Sequence, residues 1–140
     1  MLDLSLANRL SELPRAAEAI DAFLRREGLS PETIRGVQLA VEELLANVVR
    51  WSGGSNGERK IRVRIYVEPL QVRAMIEDDG PAFDPLCVPP PDLLTPLEDR
   101  REGGLGIHLV RAFVDEVSYR RVGGQNVVEV TVASDRPTCH

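Results

Sequence analysis

A chain of 140 residues with 43% hydrophobic and 28% charged residues is long enough to bury one core and too ordinary in composition for wholesale disorder. Seventeen Lys and Arg against 22 Asp and Glu leave a net charge of −5, so a duplex-binding role is disfavoured, because such proteins carry a basic face. Two cysteines (Cys87, Cys139) and two histidines (His108, His140) make neither a disulfide framework nor a convincing zinc site. The start, Met1-Leu2-Asp3-Leu4, lacks the basic-then-apolar pattern of a signal peptide, and no apolar run approaches the roughly 20 residues that span a bilayer. The expectation is one soluble, cytoplasmic, reduced domain over residues 1–140, with neither nucleic acid nor membrane as a direct partner.

Leu2, Leu4 and Leu6 alternate with polar or small residues, which predicts a short strand with one buried face. Leu10, Leu13, Ala17, Ile20 and Leu24 recur at helical spacing, and Gly28 closes that helix. A second helix starts at Ser30-Pro31, a capping hydroxyl followed by a residue suited to the first turn. It carries Ile34, Val37, Val41, Leu44 and Val48 on one stripe and ends by Gly53-Gly54. Strands follow at residues 61–67 and 72–76, and the short link from Glu68 to Gln71 makes them an antiparallel hairpin.

From Gly80 to Gly106 the periodicity dissolves, and six of the ten prolines fall there. A loop that long in a compact domain is disordered or functional. Helical spacing returns at Ile107, Val110, Phe113 and Val114, and strands at 117–122 and 127–132 close the chain around Gly123-Gly124. The order β-α-α-β-β-loop-α-β-β predicts an α+β fold, one mixed sheet with its helices on one face.

Three segments stand out from this scaffold. In the second helix Glu43 and Asn47 lie four residues apart and so share a face, roughly 100° round from the apolar stripe. An acid beside an amide can hold a hydrated Mg²⁺ and orient a hydroxyl, although such spacing by itself is usually an ordinary wet helix flank. Asp78-Asp79-Gly80 ends a strand: a carboxylate there can accept from an adenine amino group, and glycine lets the base approach the backbone. A polar turn would read the same way. Gly103-Gly104-Leu105-Gly106 leads into a helix, whose N-terminus and close backbone N–H groups can cradle phosphate without a lysine. Taken alone, such a cluster is more often a hinge.

Co-occurrence in this order resembles the N, G1 and G2 boxes of the GHKL (histidine kinase-like) ATPases. Ala40-Val41-Glu42-Glu43-Leu44-Leu45-Ala46-Asn47, Gly80-Pro81-Ala82-Phe83-Asp84-Pro85 and residues 103–110 are most similar to the bacterial anti-sigma factor serine/threonine kinases. That resemblance implies a two-layer α/β sandwich of the Bergerat type. It implies an ATP-binding protein serine kinase that phosphorylates a small anti-anti-sigma (STAS-type) antagonist and sequesters a sigma factor. ATP and Mg²⁺ are the implied cofactors. Glu43 is implied as the general base, Asn47 as the metal ligand, and Asp78 and Gly80 as the adenine contacts. Gly104 and Gly106 would line the triphosphate, and residues 86–102 would form a lid whose Arg101 can reach phosphate, as can Arg100. Relatives often pair, so a homodimer is an assembly the resemblance allows. One departure bears on activity: Trp51 stands where a histidine is common. A module that binds nucleotide and protein partners without phosphoryl transfer is the alternative reading.

Overall fold

A computed structural model describes residues 1–52, 59–87 and 110–134, with the side chains of Ser52 and Cys87 left aside. Five strands form one sheet: β1 (Leu2–Ala7), β2 (Lys60–Val67), β3 (Gln71–Asp78), β4 (Glu116–Val122) and β5 (Gln125–Ala133). Two helices, α1 (Leu13–Arg26) and α2 (Pro31–Ser52), lie on one side of it. Strand order across the sheet is β1-β2-β3-β5-β4.

Local chemistry accounts for the element boundaries. Leu10–Glu12 forms a single 3-10 turn, so the first α-helix begins at Leu13, three residues later than its apolar spacing suggests. The Glu12 carboxylate explains the turn: it accepts from Ala7 N–H at 3.0 Å and from Arg15 Nε at 2.9 Å, pinning the chain between β1 and α1. Gly28 ends α1 with φ +77°, a conformation a side chain would resist. Ser30 caps α2 as expected, its Oγ accepting from Thr33 N–H at 3.2 Å.

The α+β sandwich with helices on one face is present, but the sheet is not mixed among the described residues. All four strand pairings are antiparallel. β3 and β4 do run in the same direction, as a crossover through a helix would give. They are not neighbours, because β5 inserts between them and pairs antiparallel with both.

The core fills the space between this sheet and the helices. Ile20 and Leu24 of α1, Val37, Val41 and Leu44 of α2, and Ile61, Val63, Ile65, Ala74, Ile76 and Val130 of the sheet are all at most 2% exposed. At roughly 1.5–3 kcal/mol for each fully buried large aliphatic side chain, this cluster is the main source of cohesion. The opposite sheet face is laced by Arg62–Asp3, Arg64–Glu77 and Arg73–Glu129 ion pairs. Among the described residues, no helix is long and apolar enough to cross a membrane.

Candidate functional site

The strand register sets one end of the site. Ile61, Asp78, Asn126 and Arg121 stand opposite one another across β2, β3, β5 and β4. Asp78 shares parity with the core residues Val72, Ala74 and Ile76, so it faces the helix side and is only 5% exposed. Its Oδ2 accepts from Gly80 N–H at 3.0 Å and from Asn126 Nδ2 at 3.3 Å, which holds the carboxylate in one orientation.

Asn126 was not singled out by the sequence patterns, yet it organises the loop after β3. Buried to 3% exposure, it donates from Nδ2 to Pro81 O at 2.9 Å as well as to Asp78. Its Oδ1 accepts from Phe83 N–H at 3.2 Å and from Tyr119 O–H at 2.6 Å. Arg121 adds a bond from Nη1 to Gly80 O at 2.7 Å. A signal did exist in the sequence: Asn126 has the inward parity of Val128, Val130 and Val132, and a polar residue there needs a partner. Gly80 is buried and does not adopt a positive φ, so backbone conformation does not require glycine at that position.

The other half of the site is on α2. Glu43 and Asn47 share a face as their spacing predicts, but Asn47 is not marginal; it is 2% exposed and sits within the core edge. Its Oδ1 accepts from Arg50 Nη1 at 3.0 Å, and its Nδ2 is buried without a partner among the described residues. Such an orphaned amide is costly unless a ligand completes it. Glu43 is partly buried, and that burial raises its carboxyl above the usual glutamate range, against the opposing charge of Arg50 and with a further push from Glu42.

The two halves meet through aromatic rings. Trp51, one turn beyond Asn47, stacks on Phe83 with centroids 5.3 Å apart and planes at 21°. At 44% exposure Trp51 is an edge aromatic rather than a core one. Gly104, Gly106, Arg100 and Arg101, with His108, Cys139 and His140, lie outside the described residues, as does the lid beyond Cys87.

This donor set fits magnesium held mainly by phosphate. Mg²⁺ takes one or two protein oxygens and fills its remaining positions with phosphates and water. The Asn47 carbonyl oxygen has a second lone pair beyond its bond to Arg50, and Glu43 supplies a carboxylate one turn away. Among the described residues there is no cluster of three or more His, Cys, Asp or Glu able to hold a metal ion without such help.

A family model described as the histidine kinase-like ATPase domain matches residues 6–132. The chain belongs to this family. It is 31% identical over 116 residues to the serine-protein kinase RsbW of Listeria monocytogenes serovar 1/2a, covering 79% of this chain and 73% of that protein. Against RsbW of Oceanobacillus iheyensis it is 34% identical over 111 residues, 75% of this chain and 69% of that protein. Serine/threonine-protein kinase BtrW of Bordetella bronchiseptica is 31% identical over 93 residues, 66% of each.

Solved structures agree on the fold. The RsbU and RsbW domains of Rv1364c from Mycobacterium tuberculosis superpose with a TM-score of 0.65 at 16% identity, over 98% of this chain and 34% of that one. The catalytic domain of histidine kinase ThkA gives 0.54 at 14% identity, over 95% and 97%. The matched span includes the buried Asp78 and the Glu43–Asn47 face.

Proposed function

We propose that this histidine kinase-like ATPase domain is an ATP-dependent protein serine kinase. Its acceptor is a small anti-anti-sigma protein of the STAS type, and it also sequesters a sigma factor. The observation that carries the reading is the pair of half-sites: an oriented, buried acceptor at Asp78, and on α2 an acid of raised pKa beside a buried amide with no partner among the described residues. Relatives named as serine-protein kinases support serine as the acceptor.

In this reading Asp78 accepts from the adenine amino group, and Gly80, lacking a Cβ, lets the ring approach. Asn47 holds magnesium through Oδ1, and Gly104, Gly106 and Arg101 contact the phosphates. Bound magnesium neutralises charge on the phosphate oxygens. Glu43 orients the acceptor serine and takes its hydroxyl proton as the serine oxygen bonds to the γ-phosphorus and ADP departs. A glutamate lifted by burial is a better base for that proton than an exposed one.

The test is transfer to a candidate antagonist with magnesium and labelled ATP, read as phosphoserine by mass spectrometry. Glu43→Ala should still bind ATP by calorimetry while transferring about 10²–10⁴-fold more slowly, the usual cost of losing a positioned base. Transfer at the parent rate would remove Glu43 from the mechanism. Trp51, in place of a common histidine, favours a second reading: a regulatory module that binds nucleotide and partners without transfer. The same assay separates them, since that module makes no phosphoserine.

A further inference from the structure

We propose that Trp51 is a positioning residue: by stacking on Phe83 it fixes the loop after β3 against the end of α2, and so sets how tightly the site holds an adenine nucleotide. This rests on the reading of Asp78 as the purine acceptor.

Phe83 is held from two sides. Its backbone N–H donates to Asn126 Oδ1 at 3.2 Å, tying it to β5, while its ring lies on Trp51 of α2 at 5.3 Å. Pro81 and Gly80 are bound to the sheet, through Asn126 and Arg121, and Leu86 O accepts from Arg111 Nη2 at 2.8 Å. Phe83 thus touches both the sheet and α2. Asn126 also orients Asp78, so one chain of contacts runs from Asp78 through Asn126, Phe83 and Trp51 to the helix that carries Asn47 and Glu43. A nucleotide that spans Asp78 and Asn47 needs both ends at a fixed separation. The ring pair holds that separation before the ligand arrives, and preorganisation of this kind raises affinity by reducing the ordering left to binding.

Trp51 is 44% exposed, so removing its ring opens no large core cavity, and a Trp51→Ala variant should fold. The predicted loss is in affinity. An aromatic pair contributes about 0.5–1.5 kcal/mol beyond area burial, which corresponds to roughly 2- to 13-fold in dissociation constant. Trp51 does not touch the reacting atoms in this scheme, so transfer from the saturated complex should change less than about twofold.

The experiment compares the parent chain with Trp51→Ala, Phe83→Ala, the double variant and Trp51→Phe. Calorimetry with ADP gives the dissociation constant, single-turnover transfer at saturating ATP gives the rate, and amide hydrogen exchange of residues 79–84 is followed without nucleotide. Both single variants should bind ADP several-fold more weakly and exchange faster in the loop. The double variant should be no worse than either single one, and Trp51→Phe should recover most of the loss. Additive losses in the double variant, or unchanged affinity in Trp51→Ala, overturn the proposal while leaving the purine site standing. A parent chain that binds no adenine nucleotide overturns the site reading and this proposal with it.

Discussion

Replacing Asn126 by alanine should be among the most damaging single changes outside the apolar core. The variant loses the donor to Asp78 Oδ2 at 3.3 Å and to Pro81 O at 2.9 Å, together with the acceptor for Phe83 N–H and Tyr119 O–H. Asp78 is 5% exposed, so its charged bond is not readily replaced by water and contributes about 1.5–3 kcal/mol. The other three groups are partly wetted, and each loses roughly 0.5–1 kcal/mol after water refills its place. The sum is about 3–6 kcal/mol, a large share of the roughly 5–15 kcal/mol that holds an ordinary domain together. With a urea slope of about 2 kcal/mol per molar, the unfolding midpoint should fall by roughly 1.5–3 M. Gln125→Ala, one residue away and exposed, is the control and should move stability by less than about 0.5 kcal/mol. A loss below about 1 kcal/mol in Asn126→Ala would refute the claim that this amide organises the loop.

Two pH effects follow from the carboxylates. With Glu43 as the proposed base and burial lifting its carboxyl, transfer should fail as pH drops through that raised value, because a base works only when deprotonated. Arg50→Ala removes the charge that opposes that rise and should shift the acid limb of the rate profile to higher pH; a limb that stays put or moves lower counts against Glu43 as base. Glu12 is held down to about 2 from 4.5 by the Arg15 guanidinium first and the Ala7 N–H second. A lowered carboxyl gives stability that is fully present above 4.5 and lost as pH falls towards 2. The urea midpoint of Glu12→Gln should therefore fall less steeply between about pH 5 and 2 than that of the parent; matching profiles would show that the Glu12 bonds contribute nothing.

Local features were the legible ones. Alternation placed β1, β2, β3 and β5, because each buries one face, and the serine cap and Gly28 marked the ends of the helices. Leu10 read as helical from its spacing, yet it is 61% exposed in a 3-10 turn, since the Glu12 bonds to Ala7 and Arg15 override the periodicity. Asp78 and Glu43 were marked out by the motifs around them. Asn126 was not, since its partners Asp78, Pro81 and Phe83 are 43 to 48 residues away and no local pattern encodes them. Strand order was hidden for the same reason: nothing within β5 says that it enters between β3 and β4 rather than at an edge.

That insertion has a consequence for how the molecule is made. Asn126 is synthesised 48 residues after Asp78. At roughly 5–20 residues per second, a ribosome leaves Asp78 without its amide for about 2–10 s. During that interval β3 has an open flank, and the aspartate is hydrated. If Asp78 is the purine acceptor, as proposed, nucleotide has no completed seat on the nascent chain and can act as a folding ligand only after β5 has emerged and paired with β3.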